Sequence, residues 1–317
     1  MDMIVDNRLL KQMALFGQAP SIFGICLPKL IETHPEIIVL TADQAYPAGL
    51  DSFRAKYPEH FLNVGIAEQN MIGVASGLAE TGRRPVCVAQ ACFITMRAFE
   101  PVRQFCGYMG IPLILVGISS GFGLSLMGNT HYALEDIALM RSVPGMSVVS
   151  PANPLEAVEA FEEALIHDGP VYIRLNAFKE TQLPAEYKGN SVIHHGDDVS
   201  IIATGSMAVN ALKAAEILEK KDIMARVYNT MTVVPLKDDV LDAQTPLTVT
   251  VEEHRLIGGL GDAVAAVIAE NALPTRLLKL GVATPFPHPG SYSYLLEQSG
   301  LLPEQIAERI NKELKRQ

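Results

Sequence analysis

The chain has 317 residues and a mass of 34.4 kDa, which is long enough for two domains, each with its own core. Hydrophobic residues make up 49% and charged residues 19%, with a mean hydropathy of +0.21, so the composition excludes the disordered class. A formal net charge of -10, with no basic run before 312–316, excludes an electrostatic binder of nucleic acid or of anionic membrane. The longest apolar windows, such as 111–116, fall far short of the roughly 20 residues that span a bilayer. The N-terminus, MDMIVDNRLL, lacks a basic region followed by an apolar core, so a cytoplasmic location is expected. Cys26, Cys87, Cys92 and Cys106 show no CxxC spacing and read as buried small hydrophobes.

In chain order, IIVLTAD (37–43), PVCVAQ (85–90), PLILVG (112–117), MSVVSP (146–151) and VYIRL (171–175) have the length and β-branched content of fully buried strands. Helices bounded by Gly, Pro and Asn lie between them, over 68–80, 93–108 and 155–167; in the last, Asn153 and Pro154 stand in the order of an N-cap and a first helical residue. This alternation predicts an α/β fold with a parallel sheet covered by helices on both faces. From 179 to 198 the pattern lapses into polar residues with Pro184, Gly189 and Gly196, which reads as a linker. A second series follows: strand 199–205, helix 207–221, strands 225–230 and 247–253, helix 260–271, strand 277–282 and a closing helix near 303–315. We therefore expect two parallel-sheet domains, 1–188 and 189–317.

The most informative segment is NVGIAEQNMIGVASGLA (63–79). Glu68 stands in the first turn of an otherwise apolar helix, so it is expected to be partly desolvated, the setting in which a carboxyl works as an acid or base. Spacing alone favours the plainer alternative, a carboxylate that complements the helix dipole beside Gln69 and Asn70.

The longer pattern changes that balance. NVGIAEQN resembles the transketolase family, and the resemblance continues through TAD (41–43), FITMRAFEPVRQ (93–104), GNTHYALEDIALMR (128–141), VPGMSVVSPANPLEA (143–157) and EEHRLIGGLGDAVA (252–265). It corresponds to the pyrimidine-binding and C-terminal domains of a full transketolase, so the chain resembles the C-terminal subunit of a split transketolase. We find no counterpart of the family's GDG motif, which with Asn residues holds magnesium and the cofactor diphosphate; Gly196, Asp197 and Asp198 only look like it. Gly258, Gly259, Leu260 and Gly261 could pass for a phosphate loop, but the resemblance to the family's C-terminal domain gives them tight strand–helix packing instead.

The resemblance implies thiamine diphosphate and Mg2+ as cofactors, with diphosphate and metal held mainly by a partner subunit and no metal ligand in this chain. It implies Glu68 as the glutamate that bonds the aminopyrimidine ring nitrogen and favours the tautomer that deprotonates the thiazolium carbon. Phe93 is the expected stacking aromatic, with Phe99 second, and Asp43 is a further cofactor-side candidate at a strand end. His131 matches the channel histidine that contacts sugar hydroxyls, whereas His254 is expected to be structural or interfacial. The implied reaction moves a two-carbon ketol unit from a ketose phosphate to an aldose phosphate. The implied assembly is a heterotetramer, in which this chain pairs with itself and with an N-terminal subunit.

Three departures bear on substrate. Met127–Gly128 stands where relatives usually have Asp-Gly, and Pro20 and Ala177 stand where phosphate-binding arginines are expected. Arg97, Arg174 or a basic residue of the partner could substitute, and an unusual donor such as a branched ketose phosphate fits these changes. The alternatives are a deoxyxylulose-phosphate synthase-like subunit, a 2-oxoacid dehydrogenase beta-type subunit and a noncatalytic scaffold; retention of Glu68 speaks against the scaffold.

Overall fold

The computed structural model describes residues 7–178, 183–241 and 245–316. The start of the N-terminus inspected for a leader and the first four residues of the expected linker lie outside the described residues.

Two mostly parallel sheets carry the chain. The first contains β1 (Ile37–Thr41), β2 (Phe61–Asn63), β3 (Arg84–Gln90), β4 (Ile114–Ile118), β5 (Ser147–Val149) and β6 (Val171–Arg174). The second contains β7 (Ser191–His194), β8 (Val199–Ala203), β9 (Ala225–Asn229), β11 (Leu247–Arg255) and β12 (Arg276–Val282). One strand of the second half, β10 (Thr232–Val234), joins the first sheet, giving the order β10-β5-β6-β4-β3-β1-β2. Sheet two runs β12-β11-β8-β9-β7, and the antiparallel strands are the edges β10 and β7. The central strands are apolar on both faces because helices cover both, as the unbroken apolar runs require. Among the described residues, no helix is long and apolar enough to cross a membrane.

The expected helix 68–80 forms as Glu68–Glu80, and Asn153 caps Pro154–Ile166 by accepting from Glu156 N at 2.9 Å. The expected helix 93–108 is interrupted: wide turns at Phe93–Arg97 and Arg103–Tyr108 flank a short α-helix, Phe99–Val102. Pro101 explains the break, since it has no N–H to give the Arg97 carbonyl four residues earlier. The expected linker contains β7, an edge strand too short to show a period.

The seam between the sheets is polar. Glu156 is buried and accepts from Ala152 N (2.8 Å), Asn153 Nδ2 (3.0 Å) and Asn229 Nδ2 (2.8 Å), joining the two halves. Burial pushes its carboxyl up to about 7. Glu135 pairs with Arg255 at 2.9 Å, and Arg141 donates to the Gly258 and Gly259 carbonyls. The cysteines are buried and form no disulfide, and burial pushes the thiols of Cys26, Cys92 and Cys106 up to about 12.

Candidate active site

In the first sheet the chain leaves β1 toward β2 on one side and leaves β3 toward β4 on the other, so the carboxyl ends of the paired strands β1 and β3 are left in opposite directions. A crevice at such a switch point is where open parallel sheets bind ligands. The segments singled out in the sequence converge here. Val64 N donates to Thr41 O at 3.0 Å, holding the loop between β2 and Glu68 against the end of β1.

Glu68 is the first residue of its helix and only 1% exposed. Its Oε2 accepts from Arg97 Nη1 at 2.9 Å, and the Arg97 guanidinium lies over the Phe93 ring, 4.2 Å from its centroid. The other neighbour of Phe93 is His131, edge to face with ring centroids 5.3 Å apart. Glu68, Phe93 and His131, distant in sequence, thus form one line of contacts through Arg97. His131 Nδ1 lies 2.9 Å from Thr130 Oγ1, which leaves Nε2 as the ring nitrogen open to a ligand. The Arg97 carbonyl freed by Pro101 accepts from Gln69 Nε2 at 3.0 Å, tying the Phe93 turn to the Glu68 helix.

Asp43 stands at the end of β1 with φ 61°, a left-handed backbone that is strained for a residue with a side chain. It exchanges two hydrogen bonds with Asn63: Asp43 N donates to Oδ1 at 3.0 Å and Asn63 Nδ2 to Asp43 Oδ1 at 3.1 Å. Asn63 Oδ1 also accepts from Gly65 N at 3.0 Å, so Asp43 acts on the Glu68 loop through Asn63. Phe99 is half-buried against the apolar layer that includes Met71 and Ile72. Ile66, Met96, Leu126 and Met127 are exposed apolar side chains on the segments that carry these residues.

Arg174 is not available to a substrate phosphate: it is 3% exposed, its Nε pairs with Asp136 at 2.7 Å, and Tyr172 Oη donates to the same oxygen at 2.8 Å. Pro20 is partly exposed beside Gly49, and Ala177 is exposed. The glycine-rich turn after β11 is closed to phosphate as well. Glu252 accepts from Leu260 N (2.7 Å) and Gly261 N (2.8 Å), occupying the donors that a phosphate would need. His254 is fully buried, and its Nε2 lies 3.3 Å from Ala138 N, which is the structural placement expected of it.

Arg97 as partner of Glu68 is the residue that sequence reading missed. The signal was its four-residue spacing from Phe93, which puts both on one face of a helical turn.

An aminopyrimidine needs a carboxylate out of water, an aromatic face and further polar atoms. Glu68 and Phe93 meet the first two needs, and Gln90 Oε1, buried without a partner at the end of β3, supplies an open acceptor. The residues present therefore fit the pyrimidine end of a thiamine cofactor. Among the described residues no three His, Cys, Asp or Glu side chains gather as metal ligands.

Comparison with known proteins gives the same direction. Residues 19–178 match the family described as transketolase, pyrimidine binding domain, and residues 189–306 match transketolase, C-terminal domain. A putative transketolase C-terminal section of Methanocaldococcus jannaschii is 34% identical over 302 residues, 93% of this chain and 96% of that protein. A 6-deoxy-6-sulfo-D-fructose transketolase subunit of a Clostridium species is 37% identical over 278 residues, 85% of this chain and 86% of that one. A solved split-gene transketolase, described as an inactive beta4 tetramer, superposes with a TM-score of 0.82 at 35% identity, covering 94% of this chain and 98% of that one.

Proposed function

The chain belongs to the transketolase family, and from that premise we propose that it is the C-terminal subunit of a two-chain transketolase, with a pyrimidine-binding unit over 1–188 and a C-terminal unit over 189–317. Assembled with an N-terminal subunit that supplies the diphosphate and Mg2+ contacts, it moves a two-carbon ketol unit from a ketose to an aldose. The observation that carries this reading is the line of Glu68, Phe93 and His131 at the β1–β3 switch point.

The family depends on thiamine diphosphate, whose thiazolium carbon supplies the nucleophile and electron sink for ketol transfer. Glu68 would face the aminopyrimidine nitrogen and hold or release a proton there, from a position that excludes water. Phe93 would offer its ring face, and Asp43 would keep the Gly65–Glu68 approach in place through Asn63. His131 Nε2 would donate to a sugar hydroxyl or a developing alkoxide.

The substrate reading follows from what the site lacks. With Arg174 committed to Asp136, Arg97 is the one left of the two arginines that this chain offers a substrate anion, and it is already paired with Glu68, so a further cation would have to come from the partner subunit. Apolar Met127 stands at the rim, 56% exposed. These features support a donor other than the ordinary pentose phosphates, and the Clostridium relative is named for a sulfonated ketose.

Calorimetric titration of thiamine diphosphate with Mg2+ tests the split-site reading, first into this chain and then into its mixture with a subunit carrying the GDG motif. Binding only in the mixture is expected. Tight Mg2+-dependent binding by this chain alone would overturn the reading. Efficient turnover of xylulose 5-phosphate with ribose 5-phosphate would overturn the unusual donor, and consumption of pyruvate would point to a synthase or dehydrogenase subunit instead.

A further inference from the structure

His131 lies on a loop that closes on itself. Gly121 N donates to Ala133 O at 3.0 Å and Ala133 N to Gly121 O at 2.9 Å, so 121–133 leaves the end of β4 and returns to the same point. Inside it, Phe122 and Tyr132 meet edge to face at 5.1 Å, and Tyr132 Oη donates to Ser125 O at 2.6 Å. These bonds give the loop a shape but no fixed direction relative to Phe93. Direction has to come from outside the loop.

The second sheet supplies it. Glu253 on β11 is 3% exposed, and its carboxylate accepts from Phe122 N (2.5 Å), Ser206 Oγ (2.5 Å) and Tyr292 Oη (2.6 Å). Its main-chain oxygen accepts from Arg174 Nη2 at 2.8 Å, and the same nitrogen donates to Ala133 O at 3.2 Å. The loop's base is therefore held at both strands. Gly121 has no room for a side chain, because a Cβ there would overlap the Glu253 carboxylate. At the tip, Asn129 Nδ2 donates to Pro287 O at 3.0 Å, and just beyond the loop Arg255 N donates to Leu134 O at 2.8 Å.

A buried carboxylate surrounded by neutral donors costs desolvation that an apolar residue in β11 would avoid. In return such a group can specify one geometry among several, because its bonds are made only in that geometry. We propose that Glu253 is a positioning residue for His131: by holding the Phe122 N–H across the seam, the C-terminal domain sets the direction in which the loop presents the imidazole. This rests on the reading of His131 as a channel residue only where activity is concerned.

Backbone hydrogen exchange on the full chain tests it. In Glu253→Gln, amides of 121–134 are expected to exchange roughly tenfold faster or more, while β1, β3 and the Glu68–Glu80 helix keep wild-type protection. Unchanged protection over 121–134 overturns the proposal. Should that variant fail to fold, Asn129→Ala and Tyr292→Phe each remove one tie; faster exchange confined to 121–134 supports the proposal, and wild-type exchange in both overturns it. In the enzyme assembled with its N-terminal subunit, Glu253→Gln is expected to raise the donor KM about fivefold or more with the thiamine diphosphate Kd unchanged. Equal losses in both would mark a merely structural role and overturn the proposal. His131→Ala checks the underlying reading: if it leaves donor KM unchanged while Glu253→Gln still loosens the loop, the positioning stands and only the assignment of His131 to the sugar falls.

Discussion

Arg97 donates to Glu68 at 2.9 Å while its guanidinium lies over Phe93, yet the two charges differ in access to water: Arg97 is 46% exposed and Glu68 is 1% exposed. Removing one partner therefore does not equal removing the other. Arg97→Ala strands a carboxylate in a dry position, whereas Glu68→Gln leaves a guanidinium that water can solvate. With the half-exposed arginine discounted for solvent screening, Arg97→Ala should cost about 1–2 kcal/mol and Glu68→Gln less. Urea unfolding of the two variants decides it; equal midpoints would refute the asymmetry.

The same Glu68→Gln chain, assembled with its N-terminal subunit, should lose about 100-fold or more in kcat, the range for a displaced proton-transfer group. Turnover near wild type would remove Glu68 from the chemistry and restore its plainer role at the helix N-terminus.

Gly259 has an ordinary φ of -83°, so its need for glycine is purely steric. A Cβ would run into the Glu252 carboxylate and come within 2.7 Å of His254 Nδ1. Gly259→Ala should therefore destabilise the chain by about 3 kcal/mol or more, since Gly259 is the N-cap of the Leu260–Glu270 helix, where alanine brings no gain in helix propensity to offset the clash. Chemical denaturation measures the loss, and a change below about 1 kcal/mol would show that Glu252 can move aside.

Glu156 predicts a pH dependence of the seam. Its carboxyl goes from 4.5 to about 7 on folding, chiefly through burial, with Glu159 adding to the rise and bonds from Ala152 and Asn229 opposing it. An acid whose folded value lies above its unfolded value binds its proton more tightly when folded. The contribution of Glu156 to stability is then greatest below about 4.5 and falls as pH rises through about 7. The full difference is about 3 kcal/mol. Glu156→Gln lacks this titration, and the buried Glu252 and Glu253 cancel in the comparison. Wild type should lose stability relative to the variant between pH 5 and pH 8; parallel curves would refute the assignment.

The strands of both sheets were legible because buried parallel strands are unbroken apolar runs. β2, β7 and β10 were not, since edge strands of three or four residues carry no period to read. Glu68 could be singled out because a charge in an apolar helix is conspicuous in one dimension. Its partner was missed because the spacing puts Arg97 beside Phe93 but says nothing of Glu68, which is distant in sequence and is brought within reach only by the fold. Three adjacent polar residues, Glu252, Glu253 and His254, resemble a solvated strand end. They are buried because β11 ends in the seam, a fact of tertiary placement that no local pattern encodes.

The strand β10 belongs by sequence to the second half of the chain and by hydrogen bonding to the first sheet. It leaves the second sheet after β9 and completes the first one against β5, pairing Thr232 with Val149 and Val234 with Val148. Scission in the polar stretch before β7 would strip the first sheet of this edge and expose the unpaired amides of β5. Each fragment would then hold a template for unwanted strand addition. The halves are consequently poor cassettes for recombination between relatives, because a graft at that point exchanges a piece of the neighbour's sheet along with its own.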